Sequence, residues 1–146
     1  MDKTERALEM LNEVLRRKMN SPATYILESS PYVREADRPV VEAIEAVSAT
    51  ARRHAEEAAR RILLLEGVPH SGSYDPSVAD SNYLSVCYLL GQLIVRLEKD
   101  IALFKEYQDQ CEVLEAKDVL AMVIEDDTAH CHKLTALRDQ MKTEHP

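Results

Sequence analysis

The sequence has few of the residues that break helices or fill large aromatic cores. Its 146 residues include three glycines, one phenylalanine and no tryptophan, whereas alanine, leucine, glutamate and arginine are frequent. This composition predicts an all-α fold. The sequence also lacks a glycine-rich phosphate loop and a Cys-x-x-Cys zinc pair. The length suits one domain over residues 1–146, large enough to bury a substantial core.

The sequence also has fewer basic than acidic residues. The net charge is −8, which argues against nucleic acid as a partner. The three cysteines, Cys87, Cys111 and Cys131, are odd in number and lie in predicted helices, so we expect reduced thiols in a cytoplasmic protein. The N-terminus has no apolar signal core, and the apolar run over residues 86–95 is too short to span a bilayer. We therefore expect no membrane association.

Apolar residues at steps of three and four predict four helices. The first begins near Thr4, and Pro22 either kinks this helix or starts it again. After a short loop over residues 34–38, Pro39 opens a second helix of about 28 residues, which ends at Gly67. A loop this short makes the first two helices antiparallel neighbours.

The segment from Gly67 to Asp80 is irregular, with two prolines and three serines. About 14 extended residues cover roughly 45 Å, close to the roughly 42 Å length of a 28-residue helix. The segment can therefore run back along the bundle and make the second and third helices parallel. The third helix begins near Asp80–Ser81, and a short link near Glu112–Ala116 leads to the fourth. This order, up-down-down-up with one long crossover between helices 2 and 3, predicts a ferritin-like four-helix bundle.

Ionisable residues interrupt three of the four apolar stripes near mid-helix: Lys18, His54, and Asp127 with His130. Helix midpoints lie at one height in such a bundle, so these side chains should meet in the core, where an unpaired charge is costly. In one interpretation His54, Asp127 and His130 bind a transition metal, since two imidazoles and a carboxylate suit iron or zinc. In the other, Lys18 pairs with Asp127 and the histidines complete a hydrogen-bonded network. The charged partner already present favours the second interpretation.

Several other polar residues are not counted as ligands. Cys131 and His132 adjoin His130, but adjacent helical positions point in different directions. Glu13 and Asp100 are interpreted as exposed helix residues, as is Glu98.

Several stretches of the chain resemble the bacterioferritin family. They are Leu11-Asn12, Tyr25, His54, the run Arg61-Ile-Leu-Leu-Leu-Glu-Gly-Val-Pro69 and the run Glu125-Asp-Asp-Thr-Ala-His130. The resemblance extends from about Leu11 to Met141 and is most specific at the Ile-Leu-x-Leu-Glu-Gly-x-Pro stretch. It implies a ferritin-like four-helix fold and assembly into a hollow 24-subunit shell that stores iron.

The chain departs from this family at its di-iron ferroxidase site. The family uses a Glu on helix 1, Glu-x-x-His on helix 2, a Glu on helix 3 and Glu-x-x-His on helix 4. The corresponding residues here are Lys18, Ala51, His54, Ile94, Asp127 and His130. The resemblance thus implies that both histidines remain and all four glutamates are replaced. Because two irons need bridging carboxylates, we expect no iron oxidation at that site.

Two further family features are absent from the sequence. The methionine that binds haem in the family corresponds to Arg52, so we expect no haem by that route. The chain also ends near the close of the fourth helix, without the family's short fifth helix, which argues against the 24-subunit shell.

Three hypotheses follow from the sequence. The first is a bacterioferritin-like, iron-storage-related protein without a working ferroxidase centre, either a homo-oligomer or a subunit that co-assembles with an active bacterioferritin. The second is a mononuclear metal-binding protein or enzyme that uses His54, Asp127 and His130. The third is a structural oligomerisation module without metal. Iron is the cofactor that the first two hypotheses suggest.

Overall fold

A computed structural model describes residues 2–28, 33–70, 72 and 86–144, and these residues form helices and loops without strands. The α-helices are α1 (Lys3–Met19), α2 (Pro22–Glu28), α3 (Arg38–Leu64), α4 (Val86–Gln110) and α5 (Leu114–Glu144). A short 3₁₀ turn over Glu35–Asp37 precedes α3. The all-α prediction is confirmed.

The first predicted helix is two helices in the structure. Asp2 caps α1, because its side chain accepts a hydrogen bond from the Glu5 backbone N–H at 2.8 Å. α1 ends at Met19, where the backbone N–H and the side-chain amide of Asn20 both donate to the Arg16 carbonyl. Pro22 then opens α2, in agreement with its missing N–H and fixed φ. The chain therefore starts a new helix at Pro22 rather than continuing as one kinked helix.

The second predicted helix is α3, with Pro39 in its first turn. After it ends at Leu64, the left-handed conformation is adopted by Glu66, with φ of 62°, rather than by Gly67. A Cβ at Gly67 would lie 2.4 Å from Leu8 Cδ2, so the end of the Leu8 side chain would have to move to admit one. The Gly67 N–H donates to the Ile62 carbonyl at 2.9 Å and closes the end of the helix.

Contacts at one end of the bundle give the helix directions. Arg6 near the start of α1 donates to Gln110 at the end of α4, at 3.0 Å. Asn12 of α1 donates to the Val68 carbonyl just after α3, at 3.3 Å. α1 is therefore antiparallel to α3 and α4, and α5 is antiparallel to α4. The order is up-down-down-up, as predicted for a ferritin-like bundle.

The two remaining connections differ in how far they are described. Residues 111–113 link α4 to α5, close to the predicted position. The predicted start of the third helix at Asp80–Ser81, and most of the predicted crossover, lie outside the described residues. Among the described helices, none is both long enough and apolar enough to cross a membrane.

The apolar core has two parts, separated along α3, α4 and α5 by polar residues. One part includes Leu11, Val14 and Phe104 together with residues of α3 and α5 near the same end. The other includes Ile44 and Leu90 and lies toward the opposite end. Between the two parts lies a polar layer, formed by the buried residues Lys18, His54, Asp100 and Asp127.

Candidate functional site

Lys18 and Asp127 form an ion pair in the middle of the bundle. Lys18 lies in the last turn of α1 and Asp127 lies midway along α5. The Lys18 Nζ atom donates to Asp127 Oδ2 at 2.5 Å, and the two side chains are only 4% and 2% exposed. Burial raises the pKa of Asp127, and the Lys18 ammonium offsets part of that rise. This is the contact required by the second interpretation of the buried ionisable residues, in which Lys18 pairs with Asp127.

His54 is buried on α3, with 1% of its surface exposed. Its Nε2 atom lies 2.8 Å from Oδ2 of Asp126, a residue that the apolar spacing does not indicate as a partner. A carboxylate oxygen only accepts, so Nε2 carries a proton. Burial, followed by the nearby Lys18 charge, lowers the pKa of His54. The imidazole is therefore neutral at pH 7, and its Nδ1 atom presents a lone pair.

The Nδ1 atom of His54 is a buried polar atom without a hydrogen-bond partner among the described groups. It lies 4.0 Å from Oδ1 of Asp127, beyond hydrogen-bond distance. Such an atom is costly in a core. The lone pair and the free oxygen of Asp127 thus lie near each other without a shared partner.

His130 has a different partner from the other predicted ligands. Its Nε2 atom lies 2.9 Å from Thr50 Oγ1, and burial lowers its pKa. His54, Asp127 and His130 therefore contact Asp126, Lys18 and Thr50 respectively. In the described part of the chain, no three His, Cys, Asp or Glu side chains are grouped as a metal ion requires. A metal at these three residues stays a prediction.

The other positions implied by the family resemblance supply no ligand. Ala51 and Ile94 are buried and apolar. Arg52, at the family's haem-ligand position, is exposed on α3. The three cysteines are free thiols.

The interpretation of Asp100 as an exposed residue is wrong. Asp100 is 4% exposed, and its Oδ1 atom accepts from Arg17 Nη1 at 2.6 Å and from Arg96 Nε at 3.3 Å. Asp100 lies three residues after Leu97 and four before Phe104, so the apolar spacing of α4 places it on the buried face. This spacing was available in the sequence. Ile101, which was assigned to the stripe instead, is only half-buried.

Glu13 extends this group of charges toward the surface. Its carboxylate accepts from Arg17 Nε at 2.7 Å and also from Arg16. Burial alone would raise the pKa of Glu13, but the two guanidinium groups bring it below the ordinary value. Glu13 is half-buried, so its interpretation as an exposed residue is also wrong.

Together with its direct partners Arg17, Arg96 and Asp126, the polar layer is balanced in charge. Of its side chains and their direct partners, Asp126 is the most exposed, with 41% of its side chain accessible. The layer is closed by direct contacts between side chains of α1, α3, α4 and α5. In this arrangement it can stabilise charge, but it presents no open set of ligands.

Comparisons with known proteins agree with the fold. No protein-family model matches the sequence, and no curated protein matches it. The bacterioferritin-related protein from Bacteroides fragilis, a dodecameric thioferritin, has a TM-score of 0.75 and 21% identity over 97% of this chain and 89% of its own. A mycobacterial bacterioferritin has a TM-score of 0.57 and 23% identity, over 94% and 85%. At these identities the likeness is one of fold.

Proposed function

From the ferritin-like fold, we propose that this chain is an iron-storage-related, bacterioferritin-like subunit without a ferroxidase centre of its own. The observation that carries the proposal is the Lys18–Asp127 contact of 2.5 Å in the centre of the bundle. A cationic side chain there repels metal cations and occupies the remaining carboxylate. Ala51 and Ile94 add no carboxylate that could bridge two irons.

We further propose that the chain acts as a homo-oligomer. The dodecameric thioferritin with the same fold supports this. Exposed apolar side chains also lie at one end of the bundle, namely Leu63, Leu64, Val68 and Leu114. Co-assembly with an active bacterioferritin subunit is the corresponding role for a chain that does not oxidise iron itself.

Stopped-flow measurement of Fe²⁺ oxidation tests the proposal. The purified protein should oxidise Fe²⁺ no faster than buffer does, and the His130→Ala variant should behave identically. A fast phase that His130→Ala abolishes would overturn the proposal. Native mass measurement on the same sample gives the subunit number, and a monomer would refute the assembly part. Mixing with an active bacterioferritin tests co-assembly, because mixed shells would have intermediate masses.

A mononuclear metal site at His54, Asp127 and His130 is the second candidate. The unpartnered Nδ1 atom of His54, near the free oxygen of Asp127, favours it. Lys18 would have to leave Asp127, and His130 would have to leave Thr50, before an ion could bind. Elemental analysis of the native protein separates the candidates. Stoichiometric metal that is lost in His54→Ala supports the second, and metal-free protein in a defined oligomer supports the first.

A further inference from the structure

Two adjacent residues of α1 each contact a buried carboxylate on a different helix. Lys18 contacts Asp127 of α5 at 2.5 Å, and Arg17 contacts Asp100 of α4 at 2.6 Å. The side chains of Asp127 and Asp100 are 2% and 6% exposed. Burial is the largest influence on the pKa of Asp127 and raises it, whereas Lys18 and His54 lower it. The negative charge of Asp100 also raises the pKa of Asp127. The two carboxylates therefore share one electrostatic environment.

Carboxylates as deeply buried as Asp127 and Asp100 need positive charge close by. Without it, each would carry a desolvation penalty that the fold cannot easily offset. In a bundle core the positive charge comes either from a bound metal ion or from a side chain. Here α1 ends one residue after Lys18, so both cationic side chains project from its last turn, between α4 and α5.

We infer that Lys18 and Arg17 are tethered cations, which neutralise Asp127 and, together with Arg96 of α4, Asp100 as bound metal ions would, and so hold the bundle together without metal. The inference rests on the proposed function, since it assumes that the native protein contains no metal at this site. Beyond that function, Arg17 and Asp100 form a second ion pair beside Lys18 and Asp127, and the stability of the protein does not depend on metal.

The unpartnered His54 Nδ1 atom makes the inference testable. It lies 4.0 Å from Asp127 Oδ1, and no described group bridges the two atoms. If the Lys18 ammonium is removed, the Asp127 carboxylate is left unneutralised in the core, next to the lone pair of the unpartnered imidazole nitrogen. Zn²⁺ and Mn²⁺ bind such mixed ligands. The Lys18→Met variant should therefore gain a dependence on divalent metal that the native protein does not have.

The experiment compares urea unfolding of four proteins in EDTA and in added Zn²⁺ or Mn²⁺. The native protein should unfold at the same urea concentration in all three conditions. In EDTA, Lys18→Met should raise the unfolding equilibrium constant by about a hundredfold or more. Added metal should lower the unfolding equilibrium constant of this variant again by at least about tenfold. Lys18→Arg keeps the cation and should show no metal response. Lys3→Met is the matched control, because among the described residues Lys3 makes only an exposed pair with Glu112, at 3.8 Å.

The inference is overturned if Lys18→Met behaves like Lys3→Met, if metal has no effect on Lys18→Met, or if EDTA destabilises the native protein. Should Lys18→Met be unfolded in EDTA, its circular dichroism with Zn²⁺ decides: recovery of helix supports the inference, and no recovery contradicts it. These outcomes are independent of the ferroxidase assay. Rapid iron oxidation by the native protein refutes the proposed function, whereas a metal-insensitive Lys18→Met variant refutes only the tethered cations.

Discussion

Replacing both members of the Lys18–Asp127 pair should cost less stability than replacing either one. At 2.5 Å and an effective dielectric constant of about 20, the gross attraction is about 7 kcal/mol. Desolvation of the two ions costs several kcal/mol each, so the pair contributes little net stability. Lys18→Met and Asp127→Val should each destabilise the protein by about 3–5 kcal/mol in EDTA, because each leaves one buried charge alone. The double variant should lose less than about 2 kcal/mol, since both charges are gone.

Urea unfolding followed by circular dichroism measures all four members of this double-mutant cycle. The exposed pair Lys3–Glu112, 3.8 Å apart, provides the control cycle, with a coupling near zero. The result that would refute the reasoning is a double variant that loses the sum of the two single losses. In that case the two side chains would contribute independently, and the polar layer would not be a charge-neutralised unit.

Three further variants test other parts of the structure. Gly91→Ala should stabilise the protein by about 0.5–1 kcal/mol, because a Cβ at Gly91 has no atom within 4 Å and alanine favours the helix; thermal unfolding measures this. Phe104→Ala should cost about 3–5 kcal/mol, since the fully buried ring leaves a cavity beside the Lys18 ammonium; urea unfolding measures it, and a loss below about 1 kcal/mol would contradict the packing. The pKa of Glu13 lies below its ordinary value of 4.5, so its ion pairs add stability above about pH 4.5 that is lost as the pH falls through the folded-state pKa. Glu13→Gln should thus be less stable than the native protein at neutral pH, and the difference should disappear once the pH falls below the folded-state pKa of Glu13; a pH-independent difference would contradict the assignment.

Much of the fold was predictable because apolar spacing determines which helix faces are buried. The stripe residues Leu11, Ile44, Leu90 and Leu120 all lie in the core, and short connections restrict neighbouring helices to antiparallel packing. The division at Pro22 was left open, because a proline both starts helices and kinks them. The hydrogen bonds of Asn20 to the Arg16 carbonyl, which end α1, depend on side-chain placement.

The polar layer was only partly predictable. The sequence indicated Lys18, His54 and Asp127 because each interrupts an apolar stripe. It did not indicate Asp126 as the partner of His54, because that contact depends on the relative rotation of α3 and α5. Asp100 was missed for a different reason. Asp100 and Ile101 both fit a spacing of three and four, and hydrophobicity favoured Ile101, whereas the guanidinium of Arg17 makes burial of Asp100 possible.

The polar layer between the two apolar clusters also determines how the helices align along their lengths. Apolar surfaces tolerate sliding, since leucine, isoleucine and valine contact one another in many alignments. A slip of α1 by one turn, about 5.4 Å, would move Lys18 away from Asp127 and Arg17 away from Asp100. Lys18 and Asp127 would then be buried without partners, whereas Asp100 would keep Arg96 and Arg17 would keep Glu13. The pairs thus select one alignment among several that the apolar clusters would accept, at little net gain in stability.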